Sequence, residues 1–207
     1  VPSIMKADYW WIAGHIDSLS VDWSRILAVL IDEPYTNRLQ QDYGDDSEAH
    51  PCFSGTRLSR INSIRTKLML AVNAVHSKAP RTRVWVNFHK AEVSWMRTNF
   101  CQMVDLNDPA IDVVSLDKYE VDFSDIQDEY EWFIASKPYQ QLALIPGTFW
   151  TPFHDDPYTA RNHMLGYFDY ANSMNQQCSM SPGRAGTTGN YDECRVWLVA
   201  GWLAAPT

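Results

Sequence analysis

Short apolar runs alternate with longer amphipathic segments along most of this chain. An unbroken apolar run of about six residues is typical of a strand buried on both faces, as in a parallel sheet. The predicted strands are residues 1–5, 26–31, 83–88, 111–116, 142–145 and 195–203, and the predicted helices are residues 8–19, 59–75, 92–104, 124–136 and 156–175. Because each helix returns the chain to the same end of the sheet, the pattern predicts an α/β fold with a mainly parallel sheet.

The number of strands indicates an incomplete barrel of the TIM type. Six strands are visible, whereas a closed (β/α)8 barrel has eight, and the chain begins and ends on strands. No linker or change of composition divides the sequence, so we expect one (β/α)-barrel domain over residues 1–207. We expect this domain to lack N-terminal βα units; a reduced barrel is the alternative.

Three helices carry clear sequence signals. The helix over 59–75 has an apolar face at helical spacing, made by Ile61, Ile64, Leu68, Ala71, Val72 and Val75. Asp156 and Pro157 form an N-cap followed by proline at the first helical position, and Met164, Phe168 and Ala171 are expected on one face of that helix. A Ser124-x-x-Gln127 capping box is expected to open the helix over 124–136.

Polar residues follow directly after the buried strands. The run over 26–31 leads into Asp32, Glu33 and Pro34, the strand over 83–88 ends at His89, and the strand over 111–116 ends at Asp117. Ligands bind at the carboxyl ends of parallel strands, so these side chains are expected to face a pocket. The alternative interpretation is that the acids cap the following helix or lie in a solvated loop.

The composition excludes several classes of partner. The formal charge of −8 and the pI near 5.1 argue against nucleic acid and anionic membranes as partners. No apolar stretch reaches the roughly 20 residues that span a bilayer. Aromatic residues make up 13% of the chain and several lie near strand ends, where flat rings can stack on sugars, although most of them are expected to pack in the core.

The motifs of metal, nucleotide and serine hydrolase sites are missing from the sequence. The six histidines form no H-x-H, H-x-x-x-H or H-E-x-x-H spacing, so no metal site is predicted, although ligands gathered from several strands would escape this test. No G-x-S-x-G elbow, Walker loop or G-x-G-x-x-G fingerprint occurs. We therefore expect no cofactor.

The four cysteines form an even set without a C-x-x-C pair. A bridge between Cys178 and Cys194 would close the Ser/Gly/Thr-rich loop over 179–190, and Cys52 with Cys101 would follow by elimination. Such disulfides predict a secreted or periplasmic protein. Buried free thiols are the alternative.

The segment Asp32-Glu33-Pro34 resembles the Asn-Glu-Pro motif that ends the fourth strand in the large clan of (β/α)8 glycoside hydrolases. In that clan the Glu is the general acid/base, so the resemblance implies this role for Glu33. Trp202, after Ala200 and Gly201, resembles the clan's eighth-strand Trp on which the sugar stacks. Two positions depart from the pattern: Asp32 replaces Asn, and residues 146–150 contain no carboxylate where the clan has its nucleophile.

Hydrolysis of a glycosidic bond needs one protonated carboxyl and one ionised carboxylate. We predict Glu33 as the acid and Asp117 as the second carboxylate, because their strands are separated by one neighbour, which suits an inverting enzyme. The predicted substrate-binding residues are Asp32, Tyr35, His89, Tyr119, Glu120, Trp150 and Trp202. Two alternatives remain open: a carbohydrate-binding barrel without catalysis, and a barrel enzyme that uses Glu33, His89 and Asp117 as a metal or proton-transfer site.

Overall fold

The computed structural model describes residues 3–44, 55–99, 110–117, 123–136, 141–145, 157–175 and 196–198. The chain divides into two compact units, Val1–Asp117 and Lys118–Thr207. Each unit combines helices with parallel strands, so the predicted α/β class is confirmed. The expectation of one barrel domain over residues 1–207 stays a prediction.

The first unit contains four parallel strands, β1 (Ser3–Lys6), β2 (Ile26–Asp32), β3 (Arg83–His89) and β4 (Val113–Asp117). They lie side by side in chain order, β1-β2-β3-β4, without any reversal. The register pairs Asp32 with Asn87, Asn87 with Ser115 and His89 with Asp117. The polar residues that end β2, β3 and β4 are thus neighbours at one edge of the sheet.

The helices of the first unit are α1 (Tyr9–His15), α2 (Thr36–Tyr43), α3 (Gly55–Lys78) and α4 (Lys90–Asn99), with 3-10 turns at Ile16–Ser18 and Trp23–Arg25. The predicted face of α3 is confirmed, because all six apolar residues expected on it are buried. α1 packs against α3. The middle residues of β2 and β3 are buried as well, as a strand covered on both faces requires.

The short helix α2 was not expected from the sequence. It has one buried residue, Leu39, and therefore lacks the apolar repeat by which a helix is recognised. It is followed by the cap residue Gly44, which has a φ of 61° and donates its N–H back to the Gln40 carbonyl. Glycine adopts this left-handed conformation without a steric cost, which makes it a common helix terminator.

The second unit contains a 3-10 turn at Phe123–Asp125 followed by α5 (Gln127–Ser136), β5 (Gln141–Leu144), α6 (Pro157–Asn175) and β6 (Val196–Leu198). β5 and β6 are parallel, with Leu142 opposite Val196. The predicted capping box is not formed in the expected way. Ser124 lies inside the 3-10 turn, and the Gln127 amide donates to Glu131 Oε1 at 2.6 Å.

Aromatic side chains form the described core of the second unit. Phe123 has ring contacts with Tyr130, Tyr167 and Tyr170 at centroid distances of 6.0, 4.9 and 4.7 Å. The buried face of α6 runs through Tyr167 and Ala171, whereas Phe168, expected on this face, is 50% exposed. α6 comes so close to Phe123 at Gly166 that an added Cβ would lie 2.9 Å from the Phe123 Cβ.

Candidate active site

Glu33 lies directly after β2 in an unusual backbone conformation. Its φ is +41°, and within the described residues it is the one non-glycine residue with a positive φ. A side chain in this region contacts its own backbone, at a cost of roughly 1–2 kcal/mol. Such strain persists only where the surroundings hold it, and it clusters at functional sites.

Hydrogen bonds fix the backbone on both sides of Glu33. We call residues 32–36 the β2 turn. The Glu33 N–H donates to the Asn87 carbonyl at 2.7 Å, and its own carbonyl accepts the Asn37 N–H at 3.1 Å. The Tyr9 hydroxyl donates to the Pro34 carbonyl at 2.6 Å, and the Asn37 amide donates to the Asp32 carbonyl at 3.3 Å. The β2 turn is therefore attached to β3, α1 and α2, and these contacts hold the strained residue.

A buried carboxyl group from α4 completes the β2 turn. Glu92 Oε1 accepts the backbone N–H of Tyr35 at 2.8 Å, the N–H of Thr36 at 2.6 Å and the Thr36 hydroxyl at 3.0 Å. These are the first donors of α2, whose N-cap residue Tyr35 makes no capping bond with its own side chain. Glu92 thus serves as the missing cap of α2.

The same Glu92 also closes the start of its own helix. Its Oε2 accepts the His89 N–H at 3.2 Å, while His89 Nδ1 accepts the Ala91 N–H at 3.2 Å. This is the reciprocal pattern of a capping box, with His89 at the N-cap position and Glu92 three residues later. His89 therefore has a structural role through Nδ1, and its proton in the neutral ring lies on Nε2.

Burial raises the pKa of Glu92 from its ordinary value of 4.5 to about 8. The hydrogen bond from the Thr36 N–H lowers the pKa, the negative charge of Glu33 raises it, and the bonds from the Tyr35 N–H and the Thr36 hydroxyl lower it. Loss of hydration is the largest of these effects, because the carboxyl group is fully enclosed. This pKa favours the protonated form of Glu92 at neutral pH.

A continuous line of hydrogen bonds crosses the sheet next to the β2 turn. We call it the polar row. Asn87 Nδ2 donates to Asp32 Oδ1 at 2.8 Å, the Ser115 hydroxyl donates to Asn87 Oδ1 at 2.5 Å, and Trp85 Nε1 donates to Ser115 Oγ at 2.7 Å. Lys6 extends the row from β1, with its Nζ 2.6 Å from Asp32 Oδ2. Both Asp32 oxygens have partners, so its carboxylate has a set direction and a balancing cation.

The predicted pair of carboxylic residues lies at the carboxyl ends of β2 and β4. Asp117 is the last residue of β4 and is opposite His89, whereas Glu33 lies beyond the end of β2, with β3 between the two strands. Neighbouring strands are about 4.8 Å apart, so the backbones of β2 and β4 are separated by roughly 10 Å. The register therefore brings Glu33, His89 and Asp117 to one edge of the sheet.

The remaining predicted residues divide into two groups. Tyr35, in the β2 turn, is fully buried, while Asp32 and His89 are partly exposed at the strand ends. Tyr119, Glu120, Trp150 and Trp202 lie outside the described residues, as do all four cysteines.

In the part of the chain that the structure describes, no group of three or more His, Cys, Asp or Glu side chains could hold a metal ion. None of the described helices is both long and apolar enough to cross a membrane.

No family model, curated protein or solved structure matches this chain. The assignment of a function consequently rests on the fold and on the residues of this edge of the sheet.

Proposed function

We propose that this chain is part of a (β/α)-barrel glycoside hydrolase, in which Glu33 donates a proton to the leaving oxygen of a carbohydrate substrate. The observation that carries the proposal is the left-handed backbone of Glu33 at the carboxyl end of a buried parallel strand. Contacts from β3, α1 and α2 hold the turn that contains this strained residue. Such strain is typical of a residue whose side chain must point in one direction to function.

The strand order of the first unit supports a barrel. In doubly wound sheets the strand order reverses at a switch point, and ligands bind there. β1, β2, β3 and β4 instead follow one another in chain order and are all parallel, as in the wall of a (β/α)8 barrel. In barrel enzymes the catalytic residues lie at the carboxyl ends of the strands, which is the position of Glu33 and Asp117.

The spacing of Glu33 and Asp117 suits hydrolysis with inversion at the anomeric carbon of the sugar. An inverting enzyme separates its two carboxyl groups by roughly 6.5–9.5 Å to admit a water molecule, whereas a retaining enzyme needs about 5–5.5 Å. The two-strand separation of Glu33 and Asp117 favours the wider arrangement. In this scheme Asp117 is the base that activates water, and Glu33 is the acid that releases the leaving group.

The predicted substrate contacts add to this scheme. The Nε2–H of His89 would donate to a sugar hydroxyl, because Nδ1 is already occupied by the Ala91 N–H. The aromatic residues Tyr119, Trp150 and Trp202 would stack on sugar rings. Location outside the cell or in the periplasm, with the two disulfides, remains part of the proposal.

Turnover of a panel of chromogenic glycosides by the full chain tests the proposal. We expect Glu33→Gln and Asp117→Asn each to lower kcat by a factor of about 100 or more, as for the loss of an acid or base. Glu131→Gln and Asp128→Asn, on α5, serve as matched controls because both side chains are exposed. Proton NMR of the first product reads the anomer, and an inverted anomer is expected.

A carbohydrate-binding barrel without catalysis is the second candidate. The observation in its favour is the sequence Pro-Gly-Thr-Phe-Trp over residues 146–150, which offers no carboxylate after β5. Binding of sugars without turnover by either the natural chain or Glu33→Gln would support this candidate and overturn the hydrolase.

A further inference from the structure

A cleft opens beside the β2 turn, in the first unit. Its volume is about 270 Å³, and its walls come from the ends of β1 and β2, from residues 7–9 and from helix α2. Asp32 is part of the wall, whereas the predicted acid Glu33, the next residue in the chain, is not. The cleft is therefore adjacent to the proposed reaction centre and distinct from it.

Each of the two cations that line the cleft is paired with one of its two carboxylates. Lys6 Nζ lies 2.6 Å from Asp32 Oδ2, and the Arg38 guanidinium is paired with Asp8. Burial opposes ionisation of Asp8, yet the hydrogen bond and the charge of Arg38 hold its pKa below the ordinary value. A ligand with a net charge would meet a like charge or have to break a pair, so the lining favours a neutral ligand.

The other polar groups of the cleft both donate and accept hydrogen bonds. Asn37 and Gln41 are one helical turn apart on α2, and both line the cleft. Among the described residues the Gln41 amide has no hydrogen-bond partner. The Lys6 side chain, whose ammonium group donates to Asp32, is 60% exposed and adds a donor group to this wall. A ligand with several neighbouring hydroxyl groups, each a donor and an acceptor, complements such a surface.

The size of the cleft limits the ligand. Pockets for drug-sized ligands measure roughly 300–1,000 Å³, and this cleft of about 270 Å³ lies just below that range. It suits one ring rather than a chain of rings. We propose that the cleft binds one neutral sugar ring of the substrate, next to the β2 turn. This proposal depends on the proposed function only for the claim that the ring belongs to the substrate.

Protein NMR on the full, ¹⁵N-labelled chain tests the cleft directly. The probes are the methyl glycosides of glucose, galactose, mannose and xylose, together with methyl glucuronide and methyl galacturonide, each titrated into the tens of millimolar range. We expect at least one neutral glycoside to shift the backbone amide signals of Lys6, Asn37 and Gln41. We expect the corresponding uronide to bind more weakly.

Two adjacent glutamines provide a matched pair of variants. Gln41 lines the cleft, whereas Gln40, the preceding residue of α2, is exposed and does not. Gln41→Ala is expected to raise the Kd of the bound glycoside about threefold to tenfold, the effect of one lost hydrogen bond, while Gln40→Ala leaves it unchanged. Gln41→Lys adds a positive charge and is expected to shift the preference toward the uronide, with Gln40→Lys as its control.

The outcomes separate the cleft from the proposed function. The cleft proposal is overturned if no probe shifts signals of the cleft, or if Gln41→Ala weakens binding no more than Gln40→Ala does. If the chain hydrolyses a glycoside and Gln41→Ala leaves the KM unchanged, the cleft proposal is overturned and the hydrolase proposal stands. Binding in the cleft without any turnover would support the cleft and count against the hydrolase.

Discussion

Glu92 on α4 caps α2 by accepting the Thr36 backbone N–H at 2.6 Å. The two residues are 56 positions apart in the chain; Glu92 is fully buried, and Thr36 is partly buried. Through this bond, and through its bond to the His89 N–H, one carboxyl group links the two segments that follow β2 and β3. The geometry of the candidate active site therefore depends on a residue that lies outside it.

Glu92→Ala is expected to destabilise the protein by about 2–4 kcal/mol. It removes the acceptor of the Tyr35 and Thr36 N–H groups, and an unsatisfied buried donor costs roughly 1–3 kcal/mol. Glu92→Gln keeps one carbonyl oxygen for these donors and should lose about half as much. Urea unfolding followed by circular dichroism measures both, with the exposed Glu131→Ala as control. A loss for Glu92→Ala no larger than that for Glu131→Ala would contradict the capping role.

The raised pKa of Glu92 predicts how stability depends on pH. The folded protein holds the proton of this carboxyl up to a pKa of about 8, whereas the unfolded chain releases it near 4.5. Between these values the folded state holds this proton more tightly, so the contribution of Glu92 to stability is greatest below pH 4.5 and falls as the pH rises toward 8. The free energy of unfolding of the natural chain minus that of Glu92→Gln should accordingly fall by a few kcal/mol over this interval. A difference that is constant or rises with pH would mean that the ionised form is the one held in the fold.

The strained backbone of Glu33 predicts that removal of its side chain raises stability and lowers activity. Glu33→Gly removes the side chain that makes a φ of +41° costly, so it should stabilise the protein by about 1 kcal/mol and abolish turnover. Gly44→Ala is the opposite control, since it places a Cβ at a φ of 61° and should destabilise by a similar amount. Thermal unfolding and the glycoside assay provide the two measurements. Destabilisation by Glu33→Gly would show that contacts of the Glu33 side chain outweigh the strain.

Most of the elements were predictable because their signal is local. The apolar runs of β2 and β3 and the face of α3 follow from the spacing of residues along the chain, and the structure buries the residues that this spacing selects. The prediction of the α6 face was wrong at Phe168, because positions 167 and 168 both fit the helical spacing between Met164 and Ala171. Tyr167, one position earlier, is the ring that packs on Phe123.

The contacts of the candidate site were less accessible, since they join residues far apart in the chain. The prediction that acids follow β2 required only the local sequence. The alternation of strands and helices along the chain also indicated that one strand separates β2 from β4. The role of Glu92 depends on a helix from one βα unit meeting the loop of another, which no local pattern encodes. One signal was present: His89 and Glu92 have the three-residue spacing of a capping box, with His in the place of Ser or Thr.

The polar row provides a final prediction, because Asn87 and Ser115 interrupt strands that are otherwise apolar and buried. Ser115→Ala removes the donor to Asn87 Oδ1 and the acceptor of Trp85 Nε1, and should cost about 2–3 kcal/mol in urea unfolding. Asn87 also donates to Asp32, so the same variant should loosen the carboxylate beside Glu33 and lower kcat. Ser59→Ala, at an exposed position of α3, is the control and should change stability by less than about 0.5 kcal/mol. If Ser115→Ala unfolds at the same urea concentration as the natural chain, the polar row contributes nothing to stability. If kcat is also unchanged, the polar row does not position Asp32 for activity.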